Sequence, residues 1–246
     1  MKQPPHVDAL WWQPEGAMRL RARGFDRALT ALCDQCVSLI AAVLDQPGEA
    51  PSAEWERQMI LATNLAFNSI RPAWELAFAG YYVQALALGR LGLDAVLLLN
   101  YTLKHKDDPD LAKAMDRTGG ELAQDLFVGE PAFDAKLRAM RSDFQQFAHQ
   151  TAISVHLPIR ADGAGQTALH AGPMEDAILF RDVGYRLLNV STMAVAALIK
   201  WRGGRDSRWL AVAVRVSMQA VEWAQAHASL IRGSPPPPEG AGSTPR

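Results

Sequence analysis

Apolar residues recur at three- and four-residue steps along most of this chain, and that spacing predicts helices rather than strands. From Glu15 to about Asp45 the apolar stripe is Leu20, Leu29, Leu32, Cys36, Leu39, Ile40 and Val43, and Pro47-Gly48 ends it. A second helix is predicted from Ser52 through Trp55, Met59, Leu65 and Phe67 to about Ile70. Arg71-Pro72 then breaks the chain and opens a third, because proline suits a first helical turn. That third helix, Pro72 to about His105, is apolar nearly all round, which predicts a buried central helix. Gln84, Arg90 and Asp94 interrupt it, so no uncharged run reaches the roughly 18–20 residues of a membrane span.

A short helix is expected after Asp107-Asp108-Pro109, a joint at Thr118-Gly119-Gly120, and an amphipathic helix from about Pro131 to His149. Between residues 152 and 172 the texture changes. Ile153 to Leu157 alternates like a strand, Ala161 to Gly165 has turn chemistry, and Gln166 to His170 returns as a second short strand. Two long helices follow, about Met174–Arg202 and Ser207–Arg232, joined at Gly203-Gly204. The expected fold is all-α, a multi-helix bundle around a long central helix with a small hairpin or irregular excursion near 152–172. An irregular N-terminal arm over residues 1–14, a single helical domain over 15–232 and a disordered Pro/Gly-rich tail over 233–246 complete the organisation.

Composition narrows the functions open to such a bundle. Of 246 residues 49% are hydrophobic, enough for a sizeable core, and a net charge of −1 gives no global preference for nucleic acid. The prolines of the N-terminal stretch interrupt the apolar run that a signal peptide needs, which predicts a cytoplasmic protein. Cys33 and Cys36 form a CxxC, but they sit inside a predicted helix without two further zinc ligands nearby. They read as packing residues, and neither a metal nor another cofactor is expected. The chain has no phosphate-binding P-loop, no HExxH and no GxSxG, and no Glu-x-x-His pair for a di-iron bundle.

The polar residues of the central helix are the candidate site. At 100° per residue, Arg90, Asp94, Tyr101 and His105 fall within a sector of about 60°. Arg90 and Asp94 are four apart and are expected to pair, with a further acceptor from another helix for the remaining guanidinium donors. His149 and His156 flank the point where the chain leaves helical structure, after a helix carrying Arg141, and His149 is expected to approach the Arg90–Asp94 pair. The cationic group Lys200, Arg202, Arg205 and Arg208 lies at an interhelical joint, where it can bind phosphate or complement a helix C-terminus.

The run Gly-Arg90-Leu-Gly-Leu-Asp94-Ala-Val-Leu-Leu-Leu, followed by Phe-Gln-Gln-Phe-Ala-His149-Gln-Thr and two long helices, resembles a group of bacterial all-helical proteins distantly similar to HEPN nucleases. The resemblance covers about residues 60–230 and implies a helical bundle, with ribonuclease activity in a defence or toxin system as one outcome. The chain departs from the nuclease pattern at two points: His149 lies eight positions after Arg141, too long a spacing, and Gln150 stands where the pattern has proline.

Two functions are therefore expected. The first is a helical intracellular protein acting through a protein partner or through self-association, with homodimerisation by one of the two C-terminal helices and no membrane partner. The alternative is a HEPN-like nuclease or nucleotide-binding module, with Arg90 and Asp94 positioning substrate and His149 as acid/base. Tyr101, His105, Arg141 and His156 would then line the binding site.

Overall fold

The computed structural model describes residues 7–45, 51, 53–128, 131–148, 159–161, 167–169 and 175–227. Its helices are α1 (Val7–Phe25), α2 (Arg27–Leu44), α3 (Glu54–Phe78), α4 (Tyr82–Lys104), α5 (Gly119–Leu126), α6 (Pro131–Ala148), α7 (Ala177–Arg202) and α8 (Ser207–His227). A 3-10 turn at Leu111–Asp116 leads into α5. Between α6 and α7, β1 (Ile159–Ala161) and β2 (Thr167–Leu169) pair antiparallel, Ile159 opposite Leu169. The all-α bundle with a small hairpin is thus the observed fold. A strand is described at 159–161; the one expected over 153–157 falls outside the described residues, as does the tail from 233.

Three helix boundaries differ from the periodicity reading. Helical structure starts at Val7, so the N-terminal arm is helical over its second half. The single helix expected over residues 15–45 is two, divided at Asp26, whose extended backbone and side-chain bond to the Leu29 N–H (2.9 Å) make it the N-cap of α2. This break resets the helical phase, so Leu20 is 77% exposed while Met18 and Ala22 face the core. The third difference is at Pro72, which α3 passes straight through. Its neighbours Ile70, Ala73, Trp74 and Ala77 are all buried, and their packing outweighs the hydrogen bond a proline removes.

The break falls eight residues later. Gly80 has φ 82°, a left-handed conformation that favours glycine. Its N–H bonds the Ala77 carbonyl (3.1 Å) and the Tyr81 N–H bonds the Leu76 carbonyl (2.9 Å), the paired bonds of a Schellman stop. The chain then turns back so that α4 lies along α3.

α4 is the centre of the bundle, packed against α3, α5, α6 and α7. Gly89 explains the close approach there: a Cβ would lie 2.6 Å from Leu187 of α7 and 2.7 Å from Phe144 of α6. Trp74 of α3 donates to Ser191 Oγ of α7 (3.1 Å), and Trp209 of α8 donates to the Leu39 carbonyl of α2 (3.2 Å). α2 and α4 are both long and apolar enough to cross a membrane by length and composition, and 61% of the α4 window is buried within the bundle.

Candidate functional site: a shared carboxylate at a three-helix junction

Arg90 and Asp94 pair along α4, Nε to Oδ2 at 3.1 Å, with side chains 16% and 29% exposed. The second group to arrive is not the expected acceptor. It is Arg141 of α6, another guanidinium, whose Nε lies 3.7 Å from Asp94 Oδ1 and whose side chain is 17% exposed. At that distance the contact is an ion pair without a hydrogen bond, and both Asp94 Oδ1 and Arg141 Nε are buried with no hydrogen-bond partner. Burial first, and the Arg90 charge second, pull Arg141 below the ordinary guanidinium value, while Asp94 opposes the shift.

Asp94 also supports the start of α5. A Cβ on Gly119 would lie 1.9 Å from Asp94 Oδ1, so only glycine allows that backbone to settle on the carboxylate. A Cβ on Gly120 would lie 3.0 Å from an Arg141 terminal nitrogen. Thr118 caps α5, accepting from the Glu121 N–H, while the Glu121 carboxylate accepts from the Thr118 N–H (2.7 Å). The positive end of a helix thus sits on a carboxylate. At the other end of α5, Lys104 of α4 donates to the carbonyls of Leu126 (2.7 Å) and Asp125 (3.3 Å). α4 therefore grips α5 at both termini with the matching sign of charge.

The four-residue sector of α4 divides into two. Tyr101 and His105 stack on each other at 4.3 Å between ring centroids, away from the Arg90–Asp94 pair. Tyr101 Oη donates to Asp108 at 3.5 Å, and Arg117 covers the Tyr101 ring at 5.1 Å. Arg117 in turn pairs with Asp125 of α5 (2.6 Å). These contacts tie the loop after α4 to α5. His149 and His156 lie outside the described residues.

Periodicity alone did not single out Gly119, Gly120 or the pair Arg186–Asp182. The signal for the first two was present, because Thr118-x-x-Glu121 is a capping-box spacing. The pair on α7 has both side chains 12% exposed, and Arg186 also lies 3.9 Å from Asp143 of α6. Its spacing is the ordinary i, i+4, which the surface pair Arg71–Glu75 shares. At the α7–α8 joint, Arg205 pairs with Glu56 of α3 (3.2 Å) and Arg202 lies over Trp201 (4.3 Å).

This junction has no hydroxyl or thiol nucleophile beside a base among the described residues. The two cysteines do not supply one. Burial, with Asp34 next, pushes the Cys33 thiol well up, and burial pushes Cys36 up to about 12. Neither is a thiolate at neutral pH. Among the described residues no three His, Cys, Asp or Glu side chains come together to hold a metal. What the geometry does chemically is hold three helices in register through one carboxylate. Compared with known proteins, the chain matches no family model, no curated protein and no solved structure.

Proposed function

We propose that this chain acts by association, and that its first partner is a second copy of itself, joined through the outer face of α8. The observation that carries this reading is an apolar stripe that the described residues leave exposed. Val214, Met218 and Val221 are 42%, 60% and 49% exposed, at steps of four and three residues, while Ala213, Val216, Ala220 and Trp223 fill the opposite, buried face. A helix apolar on both faces has a second surface to bury. The four-three spacing is the seam of a two-helix coiled coil.

The charges beside the stripe complement themselves. Arg215 and Glu222 are exposed on one flank and form no ion pair with each other or with any other described residue. When two copies of α8 cross antiparallel near Met218, Arg215 of each faces Glu222 of the other, as a two-fold interface requires. Each half-exposed apolar side chain contributes about 1 kcal/mol on burial, which makes the association micromolar or weaker.

Cross-linking checks this arrangement. A Met218→Cys protein treated with a short bismaleimide should give a covalent dimer, while Ile178→Cys, exposed on α7, should not. Equal yields from the two would remove α8 as the interface.

The alternative, a HEPN-like nuclease or nucleotide-binding module, has one observation in its favour: Arg90 and Arg141 share a single carboxylate and leave net positive charge. Ribonuclease activity lost in Arg141→Ala but kept in Met218→Glu would favour this second reading.

A further inference from the structure

A cleft of about 550 Å³ opens one turn beyond the carboxylate junction, between the C-terminal half of α4, the end of α5 and the C-terminal part of α7. Its size falls within the range of small-molecule sites, about 300–1,000 Å³. Leu97 and Leu126 form part of a buried apolar lining, and Phe127 and Met193 are half-buried beside them. Two lysines, Lys104 and Lys200, border the same cleft, and none of the described lining residues is acidic.

The two ammonium groups differ in a useful way. Lys104 is held in place by its bonds to the Leu126 and Asp125 carbonyls, which use two of its three N–H donors. One donor is left for a ligand. Lys200, in the last turn of α7, is exposed and forms no ion pair with any described residue. An apolar lining of this size beside two cations fits a molecule with an apolar body and a single anionic head.

We propose that this cleft binds a small single-chain amphipathic monoanion, a medium-length alkyl carboxylate or its close equivalent. The chain lies against Leu97, Leu126, Phe127 and Met193, and the carboxylate is bound by Lys104 and Lys200. This site is separate from the α8 stripe.

The test is a calorimetric titration of the full chain with decanoate, below the concentration at which decanoate forms micelles. Decan-1-ol serves as the uncharged comparator. Saturable binding of decanoate, with decan-1-ol at least about fivefold weaker, is the expected result. Ala196→Trp, at an exposed position of the lining, should fill the cleft and weaken both ligands about tenfold or more. Lys200→Glu should weaken decanoate about fivefold and leave decan-1-ol unchanged. Circular dichroism matching the parent confirms that each variant is folded. Equal binding of acid and alcohol would overturn the proposal, as would decanoate affinity unchanged in Ala196→Trp. Association with phosphatidylglycerol vesicles but not with free decanoate would assign the lysines to a membrane surface and overturn it too.

Discussion

Asp94 interacts with three partners at once, and its removal shows what each is worth. Asp94→Ala leaves two largely buried guanidiniums facing each other and takes the support from the α5 N-terminus. Because the carboxylate keeps some exposure, the loss should lie between a surface pair and a fully buried one, about 2–3 kcal/mol in urea unfolding. A loss below about 1 kcal/mol would make the junction a surface feature. The two glycines give a sharper contrast. Alanine is intrinsically the better helix former by about 1 kcal/mol, yet Gly119→Ala should destabilise by about 1–3 kcal/mol, because its Cβ displaces Asp94 from both arginines. Gly120→Ala meets only the far end of the long Arg141 side chain, which can give by a few tenths of an ångström, and should be neutral or stabilising by about 0.5 kcal/mol. Paired unfolding curves of the two variants check the order. In the sequence the Arg90–Asp94 pair was legible from its i, i+4 spacing. Arg141 as its third member was not, since nothing local states that α6 crosses α4 at that turn.

Among the elements, α5 is the one most dependent on charge. Thr118, through its side chain and its backbone N–H, holds the Glu121 carboxyl below its ordinary value. A carboxylate with a lowered folded-state value stabilises the folded form above the unfolded value of about 4.3, and that contribution is lost as pH falls through the lower folded value. Amide protection in α5, measured against the intrinsic exchange rate at each pH, should therefore fall across that acidic window more than protection in the core of α4. Glu121→Gln should abolish the difference, and equal pH dependence in the two helices would show that the cap does not hold α5. Element boundaries were the least legible part of the sequence. Pro72 is a strong local breaker, but the buried run Ile70, Ala73, Trp74 and Ala77 carries α3 through it. The true stop, Gly80 with positive φ, depends on a backbone conformation that periodicity does not encode. Thr118 stood at an expected joint, whereas Asp26 lay unmarked inside a helix expected to run from Glu15 to Asp45.

For the whole molecule, the division of apolar surface decides the functional reading. The near-continuous apolar character of α4 was legible and is accounted for by its neighbours α3, α5, α6 and α7. The α8 segment was legible only as a long helix, because which of its two apolar faces meets the bundle is a property of the assembled fold. Val214, Met218 and Val221 are left on the outside. The most direct measurement is sedimentation equilibrium of the full chain over a concentration series, beside Met218→Glu with matching circular dichroism. The parent mass should rise from 26.9 kDa toward twice that value as concentration increases, while the variant stays at 26.9 kDa throughout. A parent that remains at 26.9 kDa up to about 1 mM, or a variant that associates as the parent does, would contradict self-association through α8.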